Sequence, residues 1–203
     1  MLPQTIICIG RSGSGKGTQI KLLEEYFKQQ DANAQMIHIE TGVYFRSFIE
    51  EKTVSGNLAK QAYLEGRREP EFLAISMWGY ILCKDYTAEE HIMFDGAPRS
   101  LTEAKIIEDA LSFYNRFDET LFVKPKIVFL DVSHDWSVAR MHERGRVDDQ
   151  TKEQLELRSH WFETEVMQAV EYFKANPRFD FVQIPGEGSI EEVQALIRSH
   201  LPA

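Results

Sequence analysis

Five short runs are rich in apolar and β-branched residues: "TIICIG" at 5–10, "MIHIE" at 36–40, "IMFDG" at 92–96, "KIVFLDV" at 126–132 and "FVQIP" at 181–185. A strand with one wet face alternates apolar and polar side chains, whereas runs with little alternation predict strands buried on both faces, as in a parallel sheet. Between the runs the apolar positions follow a helical period. Ile20, Leu23 and Phe27 form one stripe, and Phe162, Val166, Ala169, Val170 and Phe173 form another. A third helix is announced by "SIEE", where Ser189 is a predicted N-cap and Glu192 closes a capping box before Val193, Leu196 and Ile197. Strand and helix in alternation predict an α/β fold, a doubly wound five-stranded parallel sheet with helices on both faces. The stretch 41–91 is long enough for a small helical insert. No repeat or linker interrupts the chain, so 1–203 reads as a single domain.

Composition narrows the partners. With 203 residues, 43% of them hydrophobic and 27% charged, the chain suits one well-buried globular domain. A net charge of −9 argues against a general nucleic-acid binder, so an anionic ligand would need a local cluster of cations. Cys8 and Cys83 are isolated thiols, which suggests neither a zinc site nor a disulfide framework. The apolar run from Ile6 to Ile9 is far too short for a membrane span, and no charged leader precedes it. A cytoplasmic protein with no membrane partner is expected.

The candidate chemistry begins at "GRSGSGKGTQ", residues 10–19, which carries the phosphate-loop spacing from Gly10 to Gly15 and Lys16. Glycines let consecutive N–H groups turn inward, the next helix adds its positive N-terminus, and Lys16 adds a full charge for the terminal phosphates. Alone, this spacing arises by chance in roughly one chain in twenty of this length. Its place between a predicted strand and an amphipathic helix makes it specific. One position departs from the general motif: Gly17 stands where the Mg²⁺-holding hydroxyl is usual, and the hydroxyl comes one residue later at Thr18.

The order G-K-G-T resembles the phosphate loop of the adenylate kinase family of nucleoside monophosphate kinases, and three further motifs follow in family order. "TGVYFR", 41–46, resembles the element that places Thr41 near the acceptor base and Arg46 on the acceptor phosphate, with Val43 where the family has aspartate. "FDGAPRS", 94–100, resembles the element in which Asp95 holds Mg²⁺ through water and Gly96 and Arg99 meet the acceptor. "ARMHERGRVDDQTKEQLELR", 139–158, resembles the arginine cluster. It implies Arg140 and Arg144 on ATP phosphates, Arg146 and Arg158 bridging donor and acceptor, and Asp148 and Asp149 orienting those guanidiniums.

Glu103 has two readings: a capping box with Ser100, or an acceptor-base contact where adenylate-specific members have glutamine. "EGRREPE", 65–71, resembles the loop lining the acceptor base, through Gly66, Arg67, Glu69 and Pro70, and "IPGEGSIEEV" resembles the adenine-flanking loop, with Gly188.

The resemblance implies a P-loop NTPase-type fold with a core of 1–40, 71–139 and 159–203, an acceptor-binding insert at about 41–70 and a very short lid at about 140–158. It implies a monomer that transfers a phosphoryl group from ATP to a nucleoside monophosphate, with Mg²⁺ as cofactor. ATP-binding residues would be Gly13, Ser14, Gly15, Lys16, Gly17, Thr18, Arg140, Arg144 and Gly188, with Thr18 beside Asp95 at the metal. AMP is the expected acceptor. A UMP/CMP-type kinase and a catalytically impaired nucleotide-binding regulator are the alternatives.

Overall fold

The computed structural model describes residues 2–65, 67–145 and 151–202. Strands β1 (Thr5–Gly10), β2 (Met36–Glu40), β3 (His91–Asp95), β4 (Lys126–Asp131) and β5 (Asp180–Pro185) form a sheet in the order β2-β3-β1-β4-β5. Every neighbouring pair is parallel, with Cys8 of β1 level with Asp95 on one side and Val128 on the other. The strands start and stop within one residue of the expected bounds.

The central strands β3, β1 and β4 are buried on both faces, as their apolar runs require, while the edge strands β2 and β5 are only partly buried. Ile7, Ile9, Ile39, Phe94, Ile127 and Phe129 point to one side. There they pack on α4 (Glu71–Asp85) through Trp78 and Leu82, on α5 (Leu101–Phe113) through Ile107 and Leu111, and on α8 (Met167–Ala175) through Val170 and Phe173. Ile6, Cys8, Met93, Val128, Leu130 and Ile184 point to the other. They meet Ile20, Leu23 and Phe27 of α1 (Lys16–Gln30) and Val193 and Ile197 of α9 (Ile190–Ser199). The expected stripes are therefore the buried faces of these helices, and both bonds of the Ser189–Glu192 capping box are made.

Between β2 and β3 lie α2 (Thr41–Phe48), α3 (Val54–Leu64) and α4. Phe45, Ile49, Ala59 and Leu73 give this region a small core of its own. After β4 come α6 (His134–Arg144) and α7 (Lys152–Trp161). A π-helical turn, Phe162–Val166, joins α7 to α8, so the second apolar stripe is one surface made by two kinds of helix. Such turns are rare and favour functional sites.

From β1 the chain crosses to β2 over the α1 face, and from β4 it crosses to β5 over the α8 face. Connections that diverge in this way open a crevice at the carboxyl ends of the strands, where ligands of such sheets bind.

Candidate active site

That crevice is a cleft of about 710 Å³, within the usual range of roughly 300–1,000 Å³ for small-molecule sites. Its floor is the turn from β1 into α1. Gly13 and Gly15 have φ of 80° and 91°, a left-handed backbone that glycine takes without strain. At Gly10 the constraint is space, because a Cβ there would lie 2.7 Å from the Leu130 carbonyl oxygen. Lys16 Nζ donates to the carbonyls of Gly10 (2.8 Å) and Arg11 (2.7 Å) and lies 3.4 Å from Ser14 Oγ. Burial pushes its pKa below the ordinary value; Asp95 opposes this, and Arg144 and Arg99 add to it.

Gly17 has a local reason. A Cβ at this position would sit 2.9 Å from Asp95 Oδ2. The residue that the general motif makes serine or threonine is thus packed against the carboxylate at the end of β3, and Thr18 stands exposed on the cleft wall.

The next layer follows β3. Gly96 turns with φ 83°, Ala97–Pro98 is cis, and Arg99 folds back. Its Nε donates to Gly96 O (3.0 Å), Nη2 to Thr41 Oγ1 (3.4 Å) and Nη1 to both carboxylate oxygens of Glu69 (3.2 and 3.3 Å). Burial works to lower the Arg99 pKa, but Glu69, Glu103 and Asp95 outweigh it and raise it.

Two residues expected at the acceptor are placed off the cleft lining. Glu103 is buried and does not line the cleft; its carboxylate accepts from Trp78 Nε1 (3.0 Å) and from the Arg99 backbone N–H (2.6 Å). Nor is the capping box complete, since Ser100 Oγ accepts from Glu103 N while the Glu103 side chain turns to Arg99 N. An acceptor-only carboxylate surrounded by two donors is held inside the fold. Burial raises its pKa, against the pull of Arg99. Thr41 is also buried and off the cleft, where its hydroxyl donates to Gly96 O (3.1 Å) and receives Arg99.

The other expected residues that are described reach the cleft. Arg46 lines it with Glu40 4.0 Å away, and Arg67 lines it while pairing with Glu65 (2.6 Å). Arg140 lies over the Trp136 ring (4.8 Å to its centre) and bonds Glu143 (3.2 Å). Arg144 and Arg158 line the cleft, and Arg158 Nη1 is 3.5 Å from Ser12 Oγ. Burial, with Arg144 and Arg99 adding, brings the Arg158 pKa down to about 10. Gly13, Ser14, Gly15, Thr18, Gly96 and Gly188 line the cleft as well. Arg146, Asp148 and Asp149, and Gly66 of the acceptor-base loop, lie outside the described residues.

Sequence reasoning missed Arg11 and Trp136. Arg11 donates from Nε to Val132 O (3.2 Å), lies over the Phe162 ring at 4.4 Å and pairs with Glu163. It ties the phosphate loop to the π-helical turn. Trp136 was legible in principle, since it precedes Arg140 by one helical turn. No periodicity links Arg11 to a side chain some 150 positions away.

A family model described as adenylate kinase matches residues 8–178. The chain belongs to the adenylate kinase family. Curated relatives agree along nearly the whole length. An adenylate kinase of Flavobacterium psychrophilum is 30% identical over 192 residues, 93% of each chain. One of Corynebacterium aurimucosum is 33% identical over 187 residues, 92% of this chain and 93% of its own, and adenylate kinase 1 of a Nostoc strain is 29% identical over 97% of both. The resemblance read from the motifs is borne out, and with it the P-loop α/β fold of a nucleoside monophosphate kinase. Among the described residues, no helix is long and apolar enough to cross a membrane.

Proposed function

We propose that this adenylate kinase family member is an ATP:AMP phosphotransferase, converting ATP and AMP to two ADP with Mg²⁺. The observation that carries the reading is the gathering of Lys16, Arg99, Arg144 and Arg158 around one cleft with Asp95 among them. Four cations drawn together in an acidic protein oppose one another, and a polyanionic ligand would offset that repulsion.

The residues present fit Mg²⁺. Among the described residues no three His, Cys, Asp or Glu side chains form a metal cage. Mg²⁺ characteristically takes one or two carboxylates and completes its shell with water and substrate phosphates. Asp95, with Thr18 lining the same cleft, would hold it. When bound, it would neutralise charge on the transferring phosphates.

An oxygen of the acceptor phosphate attacks the γ-phosphorus in line, and the bond from that phosphorus to the β–γ bridging oxygen breaks. The acceptor is largely a dianion at neutral pH, so no general base is needed. The transition state is loose and spreads charge over the moving group's oxygens, which leaves the protein the work of positioning and charge compensation. In this reading the loop N–H groups and Lys16 hold the donor's terminal phosphates, with Arg140 and Arg144 beside them. Arg46 and Arg99 hold the acceptor phosphate, and Arg158 and Arg146 span the two.

The test offers ATP with AMP, CMP, UMP, GMP and dAMP in turn and follows ADP formation. AMP is expected to give the highest kcat/KM, in keeping with the relatives named adenylate kinase. A preference for CMP or UMP overturns the acceptor assignment, and binding without turnover of any acceptor overturns the enzyme.

A further inference from the structure

Glu69 is a charge of the wrong sign for the place it occupies. It lies in the loop between α3 and α4, at the acceptor side of the cleft, with only 16% of its side chain exposed. Both carboxylate oxygens face Arg99 Nη1, at 3.2 and 3.3 Å. Its field also reaches Arg158. That one guanidinium nitrogen is thus occupied by a carboxylate where a phosphate oxygen could otherwise accept from it.

The other contacts of Arg99 show which one can yield. Nε is held by Gly96 O and Nη2 by Thr41 Oγ1, and both of those residues are fixed at the ends of adjacent parallel strands. The Nη1 partner comes instead from the loop between α3 and α4, away from the sheet. We infer that Glu69 is an internal stand-in for the acceptor phosphate. It holds Arg99 until AMP arrives and must be displaced before AMP can bind, so this chain carries an autoinhibitory contact on its acceptor site. The inference rests on the reading that Arg99 takes the acceptor phosphate.

The physical consequence is a trade. With Glu69 in place, the mutual repulsion of Arg99, Arg144 and Arg158 is partly offset, which stabilises the ligand-free fold. The same pair opposes acceptor binding, because an incoming phosphate gains Arg99 only as Glu69 loses it. The neighbouring arginines of the loop have carboxylates of their own: Arg67 pairs with Glu65, and Arg68 with Glu71 and Glu165. Glu69 is turned instead onto Arg99, the cation expected to hold the acceptor phosphate.

The experiment compares wild type with Glu69→Gln and Glu69→Ala. Removing the competing charge should lower the KM for AMP about tenfold, the scale of one charge-assisted hydrogen bond, and leave the KM for ATP in place. Thermal unfolding without nucleotide should move downward in both variants. A KM for AMP that rises in both would make Glu69 a ligand of the acceptor nucleoside and overturn the inference, as would an unchanged KM. Wild-type turnover of ATP and AMP is the control for the underlying reading. Should turnover be absent, calorimetric titration of AMP alone still decides the inference: tighter binding to the two variants supports it, and equal or weaker binding ends it.

Discussion

Gly17→Ala adds a single methyl group at the point where the phosphate loop meets the end of β3. Its Cβ would lie 2.9 Å from Asp95 Oδ2, where ordinary contact begins at 3.4 Å. The carboxylate must therefore retreat by about half an ångström, because a close contact of that depth is repulsive. Stability should barely suffer. The displaced atom is the end of a side chain, Gly17 is the second residue of α1, and alanine favours a helix over glycine by about 1 kcal/mol. Catalysis is less tolerant, since misplacing a reacting group by 1 Å can cost on the order of 100-fold. A shift half that size, in the carboxylate proposed to hold Mg²⁺, should lower kcat about tenfold. Steady-state turnover of ATP and AMP across a Mg²⁺ titration, run beside thermal unfolding, checks both halves. The expected result is lower kcat, a higher half-saturating Mg²⁺ concentration and an unchanged or raised Tm. Gly17→Ser, which returns the hydroxyl of the general motif, should do no better. Wild-type kcat and Mg²⁺ dependence in Gly17→Ala would refute the placement of Asp95 at the metal.

Lys16→Met should reduce turnover by at least about 100-fold while far-UV circular dichroism stays native, since a charged contact to the moving phosphates is lost; near-normal turnover removes Lys16 from the mechanism. Glu103→Gln leaves one of two buried donors, Trp78 Nε1 or Arg99 N, poorly met. It should cost about 1–3 kcal/mol in urea unfolding without changing acceptor preference, and a changed preference at full stability would return Glu103 to the acceptor base. His91 Nδ1 accepts from Gln4 N at 3.2 Å, its ring stacks on Phe27, and burial, with Arg116 adding, lowers its pKa to about 4. The unfolded chain takes up this proton near pH 6.5 and the folded one only near pH 4, so stability is lost as pH falls through that window. Wild type should lose about 2 kcal/mol more than His91→Asn between those limits, and parallel pH profiles would show that His91 does not carry the effect.

Much of the fold was legible because it rests on local regularities. The strands are nearly unbroken apolar runs, and the helix faces repeat with the helical period. Four motifs in family order located the loop, Asp95, Arg99 and the arginine helix. Illegible were contacts that depend on direction rather than position. Nothing in "SLTE" says whether the carboxylate of Glu103 turns outward to a base or inward to Trp78, and both fit a helix start. Thr41 likewise sits in a recognisable motif, yet its hydroxyl is spent on Gly96 O. The π-helical turn was hidden because the apolar stripe continues across it unchanged.

The sequence by itself determined the elements and the chemistry available to them. Turn glycines, alternating strands and helices and an ordered set of cations are written in residue type and spacing. Only tertiary structure decided which side chains face one another. Parallel pairing of β1 with β3 and β4 sets Cys8 level with Asp95, brings Gly17 against that carboxylate, and lets residues from 16 to 158 share a single cleft. It also chose the partner of Arg99. The physical reason is that electrostatic and steric forces act over a few ångströms in space, and distance along the chain says nothing about that until the sheet has closed the gap.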